Sequence, residues 1–172
     1  MIESGQDIEH ILAKLLKPEG FRKKGKTWHL ETPDTIGVIN LQRSRFSSCH
    51  YLNIGIFVKS LPELAEEFPQ DRLLPKSYRC HFQLRLPDLM QDREKGEALF
   101  DLNNVGIGSA QREAGIVESI RKYALPLLKN LTSLDAIKAA IRKDPQLGYA
   151  TFGELRKIVG QPKVKPRWQY NA

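Results

Sequence analysis

Between Arg79 and Leu86 the chain alternates Arg79, His81, Gln83 and Arg85 with Cys80, Phe82, Leu84 and Leu86. That is the period-two pattern of a strand with one buried and one open face. Two guanidiniums, an imidazole and an amide on one side present planar donors that suit a carboxylate or a phosphate. Upstream, the segments on either side of Arg45 to Ser48 pair on paper as antiparallel neighbours, so that Ile39 faces Ile54, Leu41 faces Leu52, Asn40 faces Asn53 and Gln42 faces Tyr51. Gln42, Tyr51 and Asn53 then share a face with Arg79, His81 and Arg85, a platform for a small anionic ligand or an acidic segment of a partner protein. The same alternation marks a face that is merely solvated, or one whose amides are satisfied by a covering loop. The register also places Ile36 opposite Phe57 and Val38 opposite Gly55 on this side, so the face is apolar at one end.

Other chemistry is weaker. Cys-His occurs twice, at Cys49-His50 and Cys80-His81, but neighbours on a strand point to opposite faces and each pair offers a metal site one ligand. No metal site and no cofactor motif is expected. Either cysteine could form a dyad with a histidine across the sheet, yet no nucleophile signature surrounds them, and no catalytic residue is assigned. Asn103 to Gly108 could hold an anion on backbone N–H groups ahead of a helix, but it lacks the Lys-Ser/Thr of a phosphate loop and is more simply a turn. Two basic patches carry the alternative of nucleic-acid binding. One is Arg22, Lys23, Lys24 and Lys26 before Trp28; the other is the tail, where lysines and an arginine alternate with Trp168 and Tyr170.

The net charge of +7 on 172 residues overstates that alternative. Residues Arg156 to Ala172 hold five basic and no acidic side chains, which leaves 22 basic against 20 acidic in the rest. Any attraction of the body for polyanions therefore rests on local patches. The length suits one core, expected over residues 1–160 with a basic tail over 161–172. No apolar run is long enough for a membrane span, the first residues lack a secretory profile, and two cysteines make no disulfide framework. A cytoplasmic chain with no membrane role is the expectation.

Ile8, Ile11, Leu12, Leu15 and Leu16 form one face of an N-terminal helix, with Ser4 and Asp7 as a capping box and Pro18 and Gly20 as the stop. Strands are expected around Trp28, over the two paired segments and from Arg79 to Leu86, with a fifth at Ala98 to Leu102. From Ser109 the period turns helical, with Ile116, Ile120, Tyr123 and Leu127 on one face and a disturbance at Pro126. Thr132 or Ser133 caps a further helix that ends before Pro145, and Thr151 with Glu154 reads as a capping box for a last one ending at Gly160. Helix, strands, then helices define an α+β class: an antiparallel sheet of four to five strands, with the helices packed on one face.

The runs Leu15-Leu16-Lys17-Pro18-Glu19-Gly20-Phe21-Arg22-Lys23-Lys24-Gly25, Thr27-Trp28, Val38 to Ser44, Tyr51 to Gly55 and Cys80-His81-Phe82 resemble the bacterial domain-of-unknown-function family 4304. The similarity spans roughly Ile8 to Ile141. It implies a cytosolic, single-domain α+β protein and carries over no catalytic residues.

Overall fold

The computed structural model describes residue 2, residues 4–64 and residues 71–163. Its first element, α1 (Gly5–Leu16), opens with Ser4 accepting from the Asp7 N–H while the Asp7 carboxylate accepts from the Ser4 N–H. Ile8, Leu12, Leu15 and Leu16 of this helix are buried. Five strands follow, β1 (Arg22–Lys24), β2 (Thr27–Glu31), β3 (Thr35–Arg43), β4 (His50–Val58) and β5 (Phe82–Arg85), in one antiparallel sheet ordered as in the sequence. The β3–β4 register is the one read from the sequence, with Ile39 opposite Ile54, Leu41 opposite Leu52, Asn40 opposite Asn53 and Gln42 opposite Tyr51.

One face of the sheet carries Trp28, Ile39, Leu41, Leu52, Ile54, Ile56 and Phe82 into the main core. Helices α2 (Leu86–Leu89), α3 (Arg93–Phe100), α4 (Ser109–Ser119), α5 (Leu125–Asn130), α6 (Leu134–Lys143) and α7 (Gly153–Val159) contribute Leu86, Leu99, Phe100, Ile116, Leu128, Ile137 and Leu155 to the same core. Between α4 and α5 lies a π-turn, Ile120–Ala124. Pro126 has no N–H and its ring crowds the carbonyl four residues back, and the widened turn relieves the crowding just upstream.

Three local expectations are corrected. The fifth strand is Arg22–Lys24, whereas Ala98 to Phe100 belong to α3, and of this segment Asp101 alone makes a β-bridge, to Cys49. Asp92 caps that helix by accepting from the Lys95 N–H, a signal that outweighs the short apolar run. The strand expected from Arg79 starts only at Phe82, because Ser77–Arg79 is a 3₁₀ turn. Finally, α7 is preceded by Phe152 and not capped by Thr151, whose hydroxyl donates to the Gly148 carbonyl and accepts from Arg156 Nε. For α6, the cap is Ser133.

The second face of the sheet is divided. At one end Ile36, Val38 and Phe57 form a separate small cluster with Cys80, roofed by the connection from β4 to β5. That roof comes so close that a Cβ on Gly55 would lie 2.7 Å from Cys80 Sγ, 2.9 Å from its Cβ and 3.2 Å from the Ser77 carbonyl oxygen. Replacing Gly55→Ala is therefore expected to destabilise the fold by about 1–3 kcal/mol, the usual cost of overpacking. Chemical denaturation of G55A, C80G and the double variant checks this: the double variant should lose less than the two single losses combined, and strict additivity would contradict the contact.

Candidate functional site

At the other end of the second face the described part of the roof stops, and polar side chains show. Asn40, Gln42, Asn53, Gln83 and Arg85 line a cleft of about 610 Å³, together with Lys76 and Tyr78 from the roof and Tyr149 and Phe152 from the chain after α6. Strand alternation puts Gln42, Asn53 and Arg85 on this side, and pairing sets Asn53 directly against Arg85.

The amides hold one another. Asn40 Nδ2 donates to Thr27 Oγ1 at 2.9 Å, Asn53 Nδ2 donates to Gln42 Oε1 at 2.9 Å and to Asn40 Oδ1 at 3.3 Å, and Gln83 Nε2 donates to the carbonyls of Cys80 at 2.7 Å and Tyr78 at 3.0 Å. These bonds fix which ends stay free: Gln42 Nε2 as a donor, and Asn53 Oδ1 and Gln83 Oε1 as acceptors. Arg85 lies with its guanidinium carbon 4.2 Å from the centre of the Tyr51 ring, a stacking that keeps the fork flat and leaves its edge donors open. No described carboxylate forms an ion pair with it, although Asp88 shares the cleft and feels its charge. The nearby Asp88 carboxylate instead accepts from the Arg85 backbone N–H at 2.9 Å and stands 3.7 Å from Arg93 Nη2. Burial raises the Asp88 pKa above its ordinary value, with the Arg85 N–H bond working the other way.

Arg85 and Tyr51 also border a second, more apolar hollow of about 450 Å³, which includes Cys49, His50, Leu52, Pro87, Ala98 and Phe100. Gln42 and Asn53 lie on the first side of the Arg85 ridge and Tyr51 on the second.

Two residues expected on the platform are elsewhere. His81 is wholly buried, its Nδ1 accepting from the Val58 N–H at 3.0 Å and its Nε2–H donating to the Pro62 carbonyl at 2.7 Å. It clamps the roof and presents no nitrogen to the cleft, because strand pairing begins only one residue later. Arg79, in the 3₁₀ turn, borders a different hollow with Lys24, His29, Asp71 and Lys76. Cys80, expected in the main core, packs on the opposite face, where burial pushes its thiol pKa up. His29 likewise donates from Nε2 to the Pro75 carbonyl at 3.0 Å beneath the same roof.

The basic turn is largely neutralised within the chain. Arg22 pairs with Glu31, Lys23 with Glu9 and Lys24 with Asp71, leaving Lys26 as its remaining cation. Trp168 and the rest of the tail from residue 164 lie outside the described residues. One residue escaped the sequence reading altogether. Arg112 on α4 is buried, its Nη1 donating to the carbonyls of Ala98, Leu99 and Asp101 and its Nη2 to that of Asn104. It closes the C-terminus of α3 and fixes the loop expected to cradle an anion. An arginine on an otherwise polar helical stretch gives no sign of this in the sequence.

The fold and its half-open sheet face define an α+β domain built on a five-stranded antiparallel meander. Residues 12–130 match the family model described as Domain of unknown function (DUF4304), and the chain belongs to that family. No curated protein and no solved structure matches it.

The three inward histidines carry a pH signature. Burial lowers the pKa of His29, His50 and His81 in the fold, and for His81 the Pro62 bond works against the shift. As pH falls through the ordinary imidazole value of 6.5, the unfolded chain takes up protons that the folded one refuses. Stability is thus full above that pH and declines below it, by at most about 1.4 kcal/mol per pH unit for each histidine. Denaturant titrations across this range should show the decline, and His81→Gln should flatten part of it; a slope unchanged in H81Q contradicts the assignment.

Proposed function

We propose that the chain is a non-enzymatic binding module that receives an anionic group, on a partner protein or a small ligand, at the open half of its second sheet face. The observation that carries this is Arg85. Its guanidinium is held flat on Tyr51 beside a cleft, and although the Asp88 carboxylate shares that cleft and feels its charge, no described carboxylate forms an ion pair with it; a partly buried cation with open donors favours an incoming carboxylate or phosphate. Asn53 and Gln42 would orient the ligand, since their mutual bond already fixes their free ends. Support for a non-catalytic role comes from the candidate bases and nucleophile under the roof: His81 and His29 are spent on backbone contacts, and Cys80 is sealed in an apolar cluster. We also place the chain in the cytoplasm and take residues 1–160 as its folded unit, with the basic tail as an appendage.

Arg85→Gln keeps the length and polarity of the side chain while removing the charge. Two-dimensional NMR of the intact chain, titrated with inorganic phosphate and with a glutamate-rich peptide, should show shifts gathered on the Asn53, Gln42 and Gln83 side-chain amides, and R85Q should weaken them by about tenfold. Shifts gathered instead on Arg22 to Lys26, and indifferent to R85Q, would show the surface to be the wrong one.

A further inference from the structure

The cleft is more particular than an anion site needs to be. Across its floor the free groups alternate in kind: Gln42 Nε2 donates, Asn53 Oδ1 accepts, Arg85 donates and Gln83 Oε1 accepts, and none has a hydrogen-bond partner among the described residues. All four belong to planar side chains tied down by internal bonds or by stacking, so their directions are set before a ligand arrives. Two exposed rings also line the cleft, Tyr78 at 68% exposure from the roof and Phe152 at 42%, the latter with the Arg156 guanidinium carbon 5.9 Å from its ring centre, which leaves Tyr78 as the open one. A large exposed ring beside a polar cleft is an unfilled flat contact. Lys76 adds a second cation to the lining.

We infer that this cleft takes a nucleotide, its base lying against the Tyr78 ring with its edge read by Gln42, Asn53 and Gln83, and its phosphate on Arg85. A nucleobase edge alternates donors and acceptors in a plane, which is the complement of an amide floor, and its faces are what aromatic rims stack on. Other chemistries leave part of the site idle. A bare anion would engage Arg85 and ignore Tyr78 and the amides, whereas a neutral sugar would leave the guanidinium with only Asp88 as counter-charge, a carboxylate already bonded to the Arg85 N–H and facing Arg93. The volume of about 610 Å³ lies in the range of small-molecule sites. This inference rests on the anion reading of Arg85 and narrows it to one ligand class.

The test separates the two. The purified full chain is titrated by NMR and calorimetry with AMP, GMP, CMP and UMP, and in parallel with ribose 5-phosphate and inorganic phosphate as base-free anions. Wild type, Tyr78→Ala and Arg85→Gln are compared; Tyr78 is chosen because its exposed ring can be removed while its carbonyl, which receives Gln83, remains. At least one nucleotide should bind about tenfold or more tighter than ribose 5-phosphate, and Y78A should erase most of that advantage, as loss of one stacked base does. R85Q should weaken nucleotide and base-free phosphate alike. If ribose 5-phosphate binds as well as every nucleotide and R85Q abolishes both, the nucleotide assignment falls while the anion site stands. If nucleotides bind better but Y78A changes nothing, the stacking arrangement is wrong and the inference is overturned. If none of the ligands perturbs the cleft, both are wrong.

Discussion

His81 decides which part of this protein is surface. An antiparallel meander has two faces, and the helices bury only one; the other carries Ile36, Val38 and Phe57 at one end, too apolar to leave in water. The connection from β4 to β5 covers that end, and a covering loop brings backbone groups that must find partners. A buried neutral imidazole answers part of that need with one acceptor and one donor. Through it the chain at Pro62 is tied to the end of β4 at Val58, and Gly55 lets the returning segment settle onto the sheet. Among the described residues the roof reaches no further than Tyr78 across the polar half of the face.

The division is also chemical. Under the roof, His29 and Cys80 sit where their charged forms are disfavoured by burial. On the open half, the amides of Asn40, Gln42 and Asn53 are linked across β3 and β4, and Arg85 on β5 sits opposite Asn53 in the strand register. Hydrogen bonds spent inside the network hold its members still, so the free ends meet a ligand at little further cost in side-chain entropy. The same economy explains Arg85: its stacking partner is a ring, which positions the fork without consuming a single donor.

Much of this was legible in the residues. Alternation and register arguments fixed β3 against β4, put Asn53 and Gln42 on one face and foresaw that the face turns apolar near Phe57. Ser4 and Asp7 announced α1. What the residues concealed are the places where local pattern and chain path part. Arg79 to His81 continue the alternation of β5, yet the 3₁₀ turn at Ser77–Arg79 lifts them off the strand, so the phase that holds for Gln83 and Arg85 fails for His81 and Arg79. Ala98 to Leu102 look extended in isolation, but the cap at Asp92 and the four carbonyls gathered by Arg112 make the segment a helix and its end. Both errors concern interactions distant in sequence, which periodicity does not encode. The aromatic lining of the cleft was hidden for the same reason: Tyr78 and Phe152 border one cleft only because the chain before and after β5 returns to the same part of the sheet.

The division of the sheet face is tested most directly on the His81 ring itself. Long-range nitrogen–proton NMR correlation at neutral pH distinguishes a ring protonated at Nε2 from one protonated at Nδ1, and follows its charge as the solution is acidified. The clamp requires a bare Nδ1 facing the Val58 N–H, a proton on Nε2 toward Pro62, and a neutral ring that persists below the ordinary imidazole pKa of 6.5. A proton on Nδ1, or a ring that charges freely near that value, would mean that the roof is not held in this way, and that the boundary of the open face lies elsewhere.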